Sequence, residues 1–184
     1  MRSFLAIQLS EEIRARITDF IKSLPRTRGV KLVPAENLHI TLEFLGEIDG
    51  KKQHEISLEM RRIAETVESF PLRIKGTGAF PKKHTPRVLW LGMDRQPALM
   101  ALAEQVKTSV AVGDGKPFSP HLTVGRVKFE DLDLEIFLKQ FFAEPSIMMG
   151  EMEVTSFSLM KSDLSYGTPI YTELERFSFT AGNK

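Results

Sequence analysis

Apolar residues recur along this chain at two spacings, and the switches between them lay out the elements. Four segments carry apolar residues three and four apart, the spacing of one helix face. The first follows Ser10, Glu11 and Glu12 and uses Ile13, Ile17, Phe20, Ile21 and Leu24 before Pro25 ends it. The second runs from about Lys51 to Val67 through Ile56, Met60 and Ile63. The third runs from about Pro97 to Val112 through Leu99, Leu102, Ala103, Val106 and Val110. The fourth runs from about Asp131 to Phe142 through Leu134, Phe137, Leu138 and Phe141.

Between these helices lie shorter apolar or alternating runs that read as strands. They are Phe4 to Gln8, Leu38 to Phe44, Leu72 to Gly78, Val88 to Met93, Leu122 to Val127, Met152 to Met160 and Ile170 to Thr180, the last open to a break into two. The stretch PLRIKGTGAFPKKHTPRVLWLGM reads as two strands joined by a basic loop, which favours antiparallel pairing. The pattern predicts an α+β fold and not a doubly wound α/β one. With 184 residues, 42% of them apolar, the chain can bury one substantial core, and no low-complexity segment or linker divides it.

Composition removes several kinds of chemistry. The absence of cysteine excludes disulfides, thiolate metal sites and cysteine nucleophiles, and it suits a reducing compartment. No run approaches the ~18 apolar residues of a membrane span, so the expectation is a cytoplasmic protein. A net charge of +1 argues against a broad nucleic-acid-coating surface. Two local clusters, Arg26, Arg28 and Lys31, and Lys82, Lys83 and Arg87, read equally as phosphate contacts or as solvated loops.

The chemistry concentrates in NLHITLEFLG and SPHLTVGRV, where His39 and Thr41, and His121 and Thr123, repeat one pattern of His, apolar, Thr, apolar. With twelve threonines and four histidines in the chain, two such matches arise by chance at roughly one in a thousand. On a strand, residues two apart share a face, so each strand offers an imidazole beside a hydroxyl while Ile40, Leu42, Leu122 and Val124 pack behind. Two such strands across a groove supply a general base, a general acid and two donors for non-bridging oxygens, the set that phosphodiester chemistry needs. No carboxylate or third histidine repeats with the motif, so no metal site is expected. His54 falls away from its helix's apolar face, and His84 lies in the basic loop; both read as surface residues. Phe44 and Phe118 could stack on a base, but among thirteen phenylalanines both read as core.

The motifs HITL and HLTV, 82 residues apart, resemble the signature of the two-histidine phosphoesterases. Within them the likeness is to the RNA 2',3'-cyclic phosphodiesterases, historically called 2'-5' RNA ligases. It is carried also by MRSFLAIQL, VPAENLHITLEFLGEI, GAFPKKHTPRVLWLGM, PFSPHLTVGRV and LMKSDLSYGTPIYTEL. The resemblance implies a single bilobed phosphoesterase domain over residues 1–184, with two antiparallel sheets flanked by helices and pseudo-symmetric lobes around a central cleft. It implies metal-independent hydrolysis of RNA 2',3'-cyclic phosphate ends to a 2'-phosphate, with reversible 2'-5' ligation as a companion reaction and no cofactor. Carried over by position, His39 and His121 are catalytic, His39 as proton donor and His121 as acceptor, while Thr41 and Thr123 hold phosphate. Arg126 joins them by resemblance only, since alternation from His121 puts it on the opposite face unless the strand bends near Gly125. The implied partners are RNA ends, such as tRNA fragments, met by a monomer away from membranes. The other readings are a phosphodiesterase for small cyclic nucleotides or 2'-5' linked oligonucleotides, and a non-catalytic module that binds RNA ends.

Overall fold

The computed structural model describes residues 1–110, 117–130, 132–164 and 167–180. In chain order the elements are β1 (Arg2–Gln8), α1 (Glu11–Ser23), β2 (Val30–Leu32), a 3-10 turn (Ala35–Asn37), β3 (His39–Glu47), α2 (Gly50–Thr66), β4 (Phe70–Lys82) and β5 (Thr85–Met93). Then come α3 (Pro97–Val110), β6 (Leu122–Val127), α4 (Leu132–Phe141), β7 (Met148–Val154), β8 (Ser156–Asp163) and β9 (Ile170–Ser178). The fold is α+β. The strands form two antiparallel sheets, one ordered β3-β1-β8-β9 and the other β2-β6-β5-β4-β7.

All four helices form where the apolar spacing puts them. Ser10 caps α1 by accepting from the Ile13 amide at 3.3 Å, and Asp49 caps α2 by accepting from the Lys52 amide at 2.7 Å. Ile13 and Ile17 of α1 are fully buried, a contribution of about 1.5–3 kcal/mol each. That helix lies against β7 of the second sheet, whereas α2 packs on β9 and α3, and α3 packs on β3 of the first. Buried residues of both sheets and all four helices join in one continuous apolar core. The expected helix ends at Val112 and Asp131 lie outside the described residues.

The strand expectations need three corrections. The run Met152 to Met160 is not one strand: β7 ends at Val154 in the second sheet, and after Thr155 the chain enters β8 of the first. Both halves are apolar enough to pass for one strand, because each contributes to the shared core. The segment Val30–Leu32 forms β2, too short for a periodic signal and held by its pairing to β6. From Ile170 the chain makes one unbroken strand, ending at Ser178 rather than Thr180. The basic loop between β4 and β5 is the tip of a hairpin, as its sequence suggested, with Lys83 and His84 at the turn.

The sheets meet through β3 and β6, the two strands that carry the histidine motifs. They are not successive halves of the chain. The first sheet takes β1 and β3 from its beginning and β8 and β9 from its end, and the second takes β2 and the middle.

Candidate active site

Each histidine opens its strand or stands one residue before it, and its ring orientation is fixed by backbone two residues upstream. The Nδ1–H of His39 donates to the Asn37 carbonyl at 2.7 Å, and that of His121 donates to the Ser119 carbonyl at 2.7 Å. A carbonyl only accepts, so Nδ1 carries the proton in both rings and Nε2 is the nitrogen left for chemistry. In His39 that Nε2 lies 3.0 Å from Thr41 Oγ1. The turn carrying Asn37 is itself anchored: Arg14 donates to the Ala35 carbonyl at 2.6 Å, and the Asn37 amide donates to the Pro169 carbonyl at 2.7 Å.

Aromatic rings hold the imidazoles on their other sides. Phe4 and Tyr171 pack against His39 with ring centroids 4.8 and 5.3 Å away. Phe80 and Trp90 do the same for His121 at 5.0 and 6.5 Å. Burial pushes the His39 pKa below the ordinary imidazole value; the Asn37 carbonyl opposes this, and the nearby His121 and Arg14 charges add to it. Burial also raises the Tyr171 phenol, against the opposing influence of Arg126 and Arg2, so its hydroxyl remains a neutral donor at ordinary pH.

His39, Thr41, His121, Thr123 and Arg126 all line one cavity of about 760 Å³ between the sheets. Arg126 reaches it through a bulge. On β6, Thr123 pairs with Trp90 and Arg126 with Val88, while Val124 has no partner on β5. Trp90 and Val88 are two apart and share a face, so the extra residue returns Arg126 to the side of Thr123. The first motif has the same defect. Ala6 pairs with Thr41 and Phe4 with Phe44, while Leu42 is left without a partner on β1.

Phe44 therefore faces the cavity and is 60% exposed, which corrects its assignment to the core; Leu45 takes the core position beside it. Phe118 is partly buried against the core. His54 and His84 are exposed and away from the cavity lining. The pattern of a single sequence gave no signal for Phe4, Tyr171, Phe80 or Trp90 as supports of the histidines, since each reads as ordinary core until the sheet registers are known. Of the basic clusters, Lys31 enters the cavity lining, whereas Arg26 and Arg28 border a separate groove and Lys83 lies over the Phe142 ring at 5.0 Å.

Among the described residues no three His, Asp or Glu side chains gather as metal ligands would, and no helix is long and apolar enough to cross a membrane. The donor set of the cavity is two imidazoles, hydroxyls and cations, suited to an anion that gains and loses protons.

Residues 7–90 match the family described as LigT-like phosphoesterases, a span that includes His39 and Thr41. Likeness to individual proteins extends over the second motif as well. An RNA 2',3'-cyclic phosphodiesterase of Archaeoglobus fulgidus is 37% identical over 96% of this chain and 99% of its own length. The crystal structure of a Thermus thermophilus protein superposes with a TM-score of 0.83 at 34% identity, covering 97% of this chain and 98% of that one. Escherichia coli LigT complexed with 3'-AMP superposes with a TM-score of 0.78 at 31% identity, covering 97% of each chain. With both sheets and both motif strands inside that likeness, the chain belongs to the LigT-like phosphoesterase family.

Proposed function

We propose that this protein hydrolyses the terminal 2',3'-cyclic phosphate of RNA to a 2'-phosphate, using His39 and His121 as an acid and base pair and no metal. The observation that carries the reading is that both histidines commit Nδ1 to a backbone carbonyl and share one cavity with Thr41, Thr123 and Arg126. Phosphate binding alone would be served better at neutral pH by Arg or Lys than by paired imidazoles, which disfavours a purely binding role. The names of the relatives and the 3'-AMP bound to E. coli LigT support a nucleotide substrate.

In the proposed step a water oxygen attacks phosphorus while one Nε2 removes its proton. The bond from phosphorus to the 3'-oxygen breaks, and the other Nε2–H protonates that oxygen. The products are a 2'-phosphomonoester and a 3'-hydroxyl. Thr41, Thr123 and Arg126 hold the non-bridging oxygens, where negative charge grows. His39 is the donor and His121 the acceptor in this proposal. Burial opposes a protonated His39, and the substrate's own negative charge offsets it. Attack by a 5'-hydroxyl in place of water would give 2'-5' ligation with the same roles, and cleavage of that linkage back to the cyclic phosphate would exchange them. The working unit is the monomer, with residues 1–184 acting as one domain in the cytoplasm on RNA ends such as tRNA fragments.

The test is incubation with RNA oligonucleotides ending in 2',3'-cyclic phosphate, in excess chelator, with phosphorus NMR reading the product. A 2'-phosphate end is expected. Turnover confined to small cyclic nucleotides would support the runner-up substrate, and binding without turnover would overturn the enzymatic reading.

A further inference from the structure

The cavity holds more positive charge than one terminal phosphate uses. Arg2, Lys31, Arg126 and Lys128 all line it, and the one carboxylate among the described lining residues, Glu47, lies 3.1 Å from the Met1 amine. Among the described residues, none of these four cations has a carboxylate partner. In a chain whose net charge is +1, that excess at one place needs a reason.

The registers give the cations an order. Lys31 on β2 pairs with Arg126 on β6, so the two stand side by side across the sheet. Lys128 follows Arg126 by two residues, and its amide donates to the Gly29 carbonyl at 2.7 Å, carrying the pairing of β2 and β6 one step further out. Same-face positions along a strand recur at about 6.5 Å, comparable to the step between neighbouring phosphates of an extended nucleic-acid strand. Thr123, Arg126 and Lys128 thus form a ladder leading outward from His121, with Lys31 beside its middle rung. Lys31 donates to the Gly167 carbonyl at 2.7 Å, which fixes its ammonium and leaves two of its three protons for a ligand.

Resting on the function proposed above, we infer that Lys31 and Lys128 form a track for the phosphates 5' to the reacting end, so that the protein selects an RNA strand over a free cyclic nucleotide. The Arg126 rung serves the terminal phosphate, and the two lysines serve the next one or two. Each contact of this kind adds affinity that weakens with salt and carries no base preference.

The experiment compares kcat/KM for a cyclic mononucleotide, a dinucleotide and a hexanucleotide, each ending in 2',3'-cyclic phosphate, at low and high salt. The proteins are wild type, Lys128→Glu, the double variant Lys31→Glu with Lys128→Glu, and Lys83→Glu as a charge control outside the cavity lining. Wild type should favour the hexanucleotide over the mononucleotide by at least about tenfold, with the preference shrinking in salt. Lys128→Glu should cut that ratio by several fold and the double variant further, while Lys83→Glu keeps it. Lys128→Glu is independent of the Gly167 contact, and melting curves check that each variant is folded. A length-independent wild type, or variants that slow every length alike, would overturn the track. Faster turnover of mononucleotides bearing a 5'-polyphosphate than of the hexanucleotide would assign the lysines to small molecules and likewise overturn it. If no cyclic phosphate were hydrolysed, the enzymatic reading would fail separately. The track would then be judged by fluorescence anisotropy of a labelled hexanucleotide ending in 2'-phosphate: weaker binding by Lys128→Glu upholds it, and equal binding overturns it.

Discussion

Phe44 and Arg126 hold equivalent places in the two sheets. Each follows its histidine by five residues, and each is turned into the cavity by a bulge at the fourth motif residue, Leu42 in one strand and Val124 in the other. One lobe thus presents an aromatic face where the other presents a guanidinium, although the motifs before them are nearly the same. The difference suits a nucleotide, whose base and phosphate need unlike partners.

Arg126→Ala should lower kcat/KM by about 10- to 100-fold, the worth of a charge-assisted hydrogen bond, and should weaken inhibition by inorganic phosphate in parallel. Phe44→Ala should raise KM for nucleotide substrates by about 5- to 100-fold, the range of base stacking, without changing phosphate inhibition. Equal effects of both variants on phosphate inhibition would remove the division of labour.

His39→Ala and His121→Ala should each lower the single-turnover rate by about 10² to 10⁴ with the fold retained, the usual worth of a general acid or base. Thr41→Ala and Thr123→Ala should cost less, about 10- to 100-fold, as single neutral donors. Circular dichroism and single-turnover cleavage on the same preparations check this. A folded double histidine variant with near-normal activity would exclude the pair from the mechanism.

The rate should rise and then fall with pH, because the base must be neutral while the acid is protonated. With His121 as acceptor, His121→Ala flattens the acidic limb; with His39 as donor, His39→Ala flattens the alkaline limb. The two limbs of the wild type belong to the coupled pair, so the variants and not the profile assign the roles. The opposite pattern would exchange the two histidines.

Stability carries a signature of His39 as well. Its folded pKa lies below the unfolded value of about 6.5, so between the two the unfolded chain binds more protons. Stability from this source is full above about pH 6.5 and is lost as pH falls through the lowered folded value. His39→Gln removes this contribution, so its melting temperature should fall less than that of wild type between about pH 7 and pH 5. Identical slopes in calorimetry would show that the imidazole is not held neutral by burial.

A Cβ on Gly78 would stand 2.1 Å from the indole of Trp90, the ring that backs His121. Gly78→Ala should therefore cost about 1–3 kcal/mol of stability and shift the tryptophan fluorescence, with a fall in rate on His121's side of the chemistry. Since Trp90 is the one tryptophan, its emission reports this corner directly. Unchanged emission and melting would mean that the ring has room to move.

Much of this architecture could be read from the residues. The helices around Ile13, Ile56, Leu102 and Phe137 follow from their apolar spacing, and the cavity position of His39 with Thr41 follows from alternation. Alternation fails at Phe44 and Arg126, because a bulge is set by the neighbouring strand and leaves no mark on the bulged residue itself. It fails again at Thr155, where two apolar strands abut and only tertiary pairing tells which sheet each joins. The supports of the histidines lie on other strands, so their contacts are fixed by register and not by any local motif.

The return of the chain into the first sheet after Thr155 makes the surroundings of His39 depend on residues more than a hundred positions downstream. His39 precedes β8 and β9 in the chain, and Tyr171, which packs against it, lies on β9. Without β8 and β9, β1 and β3 form only a two-stranded piece of that sheet, an arrangement of marginal stability by itself. A chain lacking β8 and β9 would thus carry both histidine motifs without the Tyr171 ring against His39. The aromatic enclosure of His39 is complete only when the β8–β9 hairpin closes on β1.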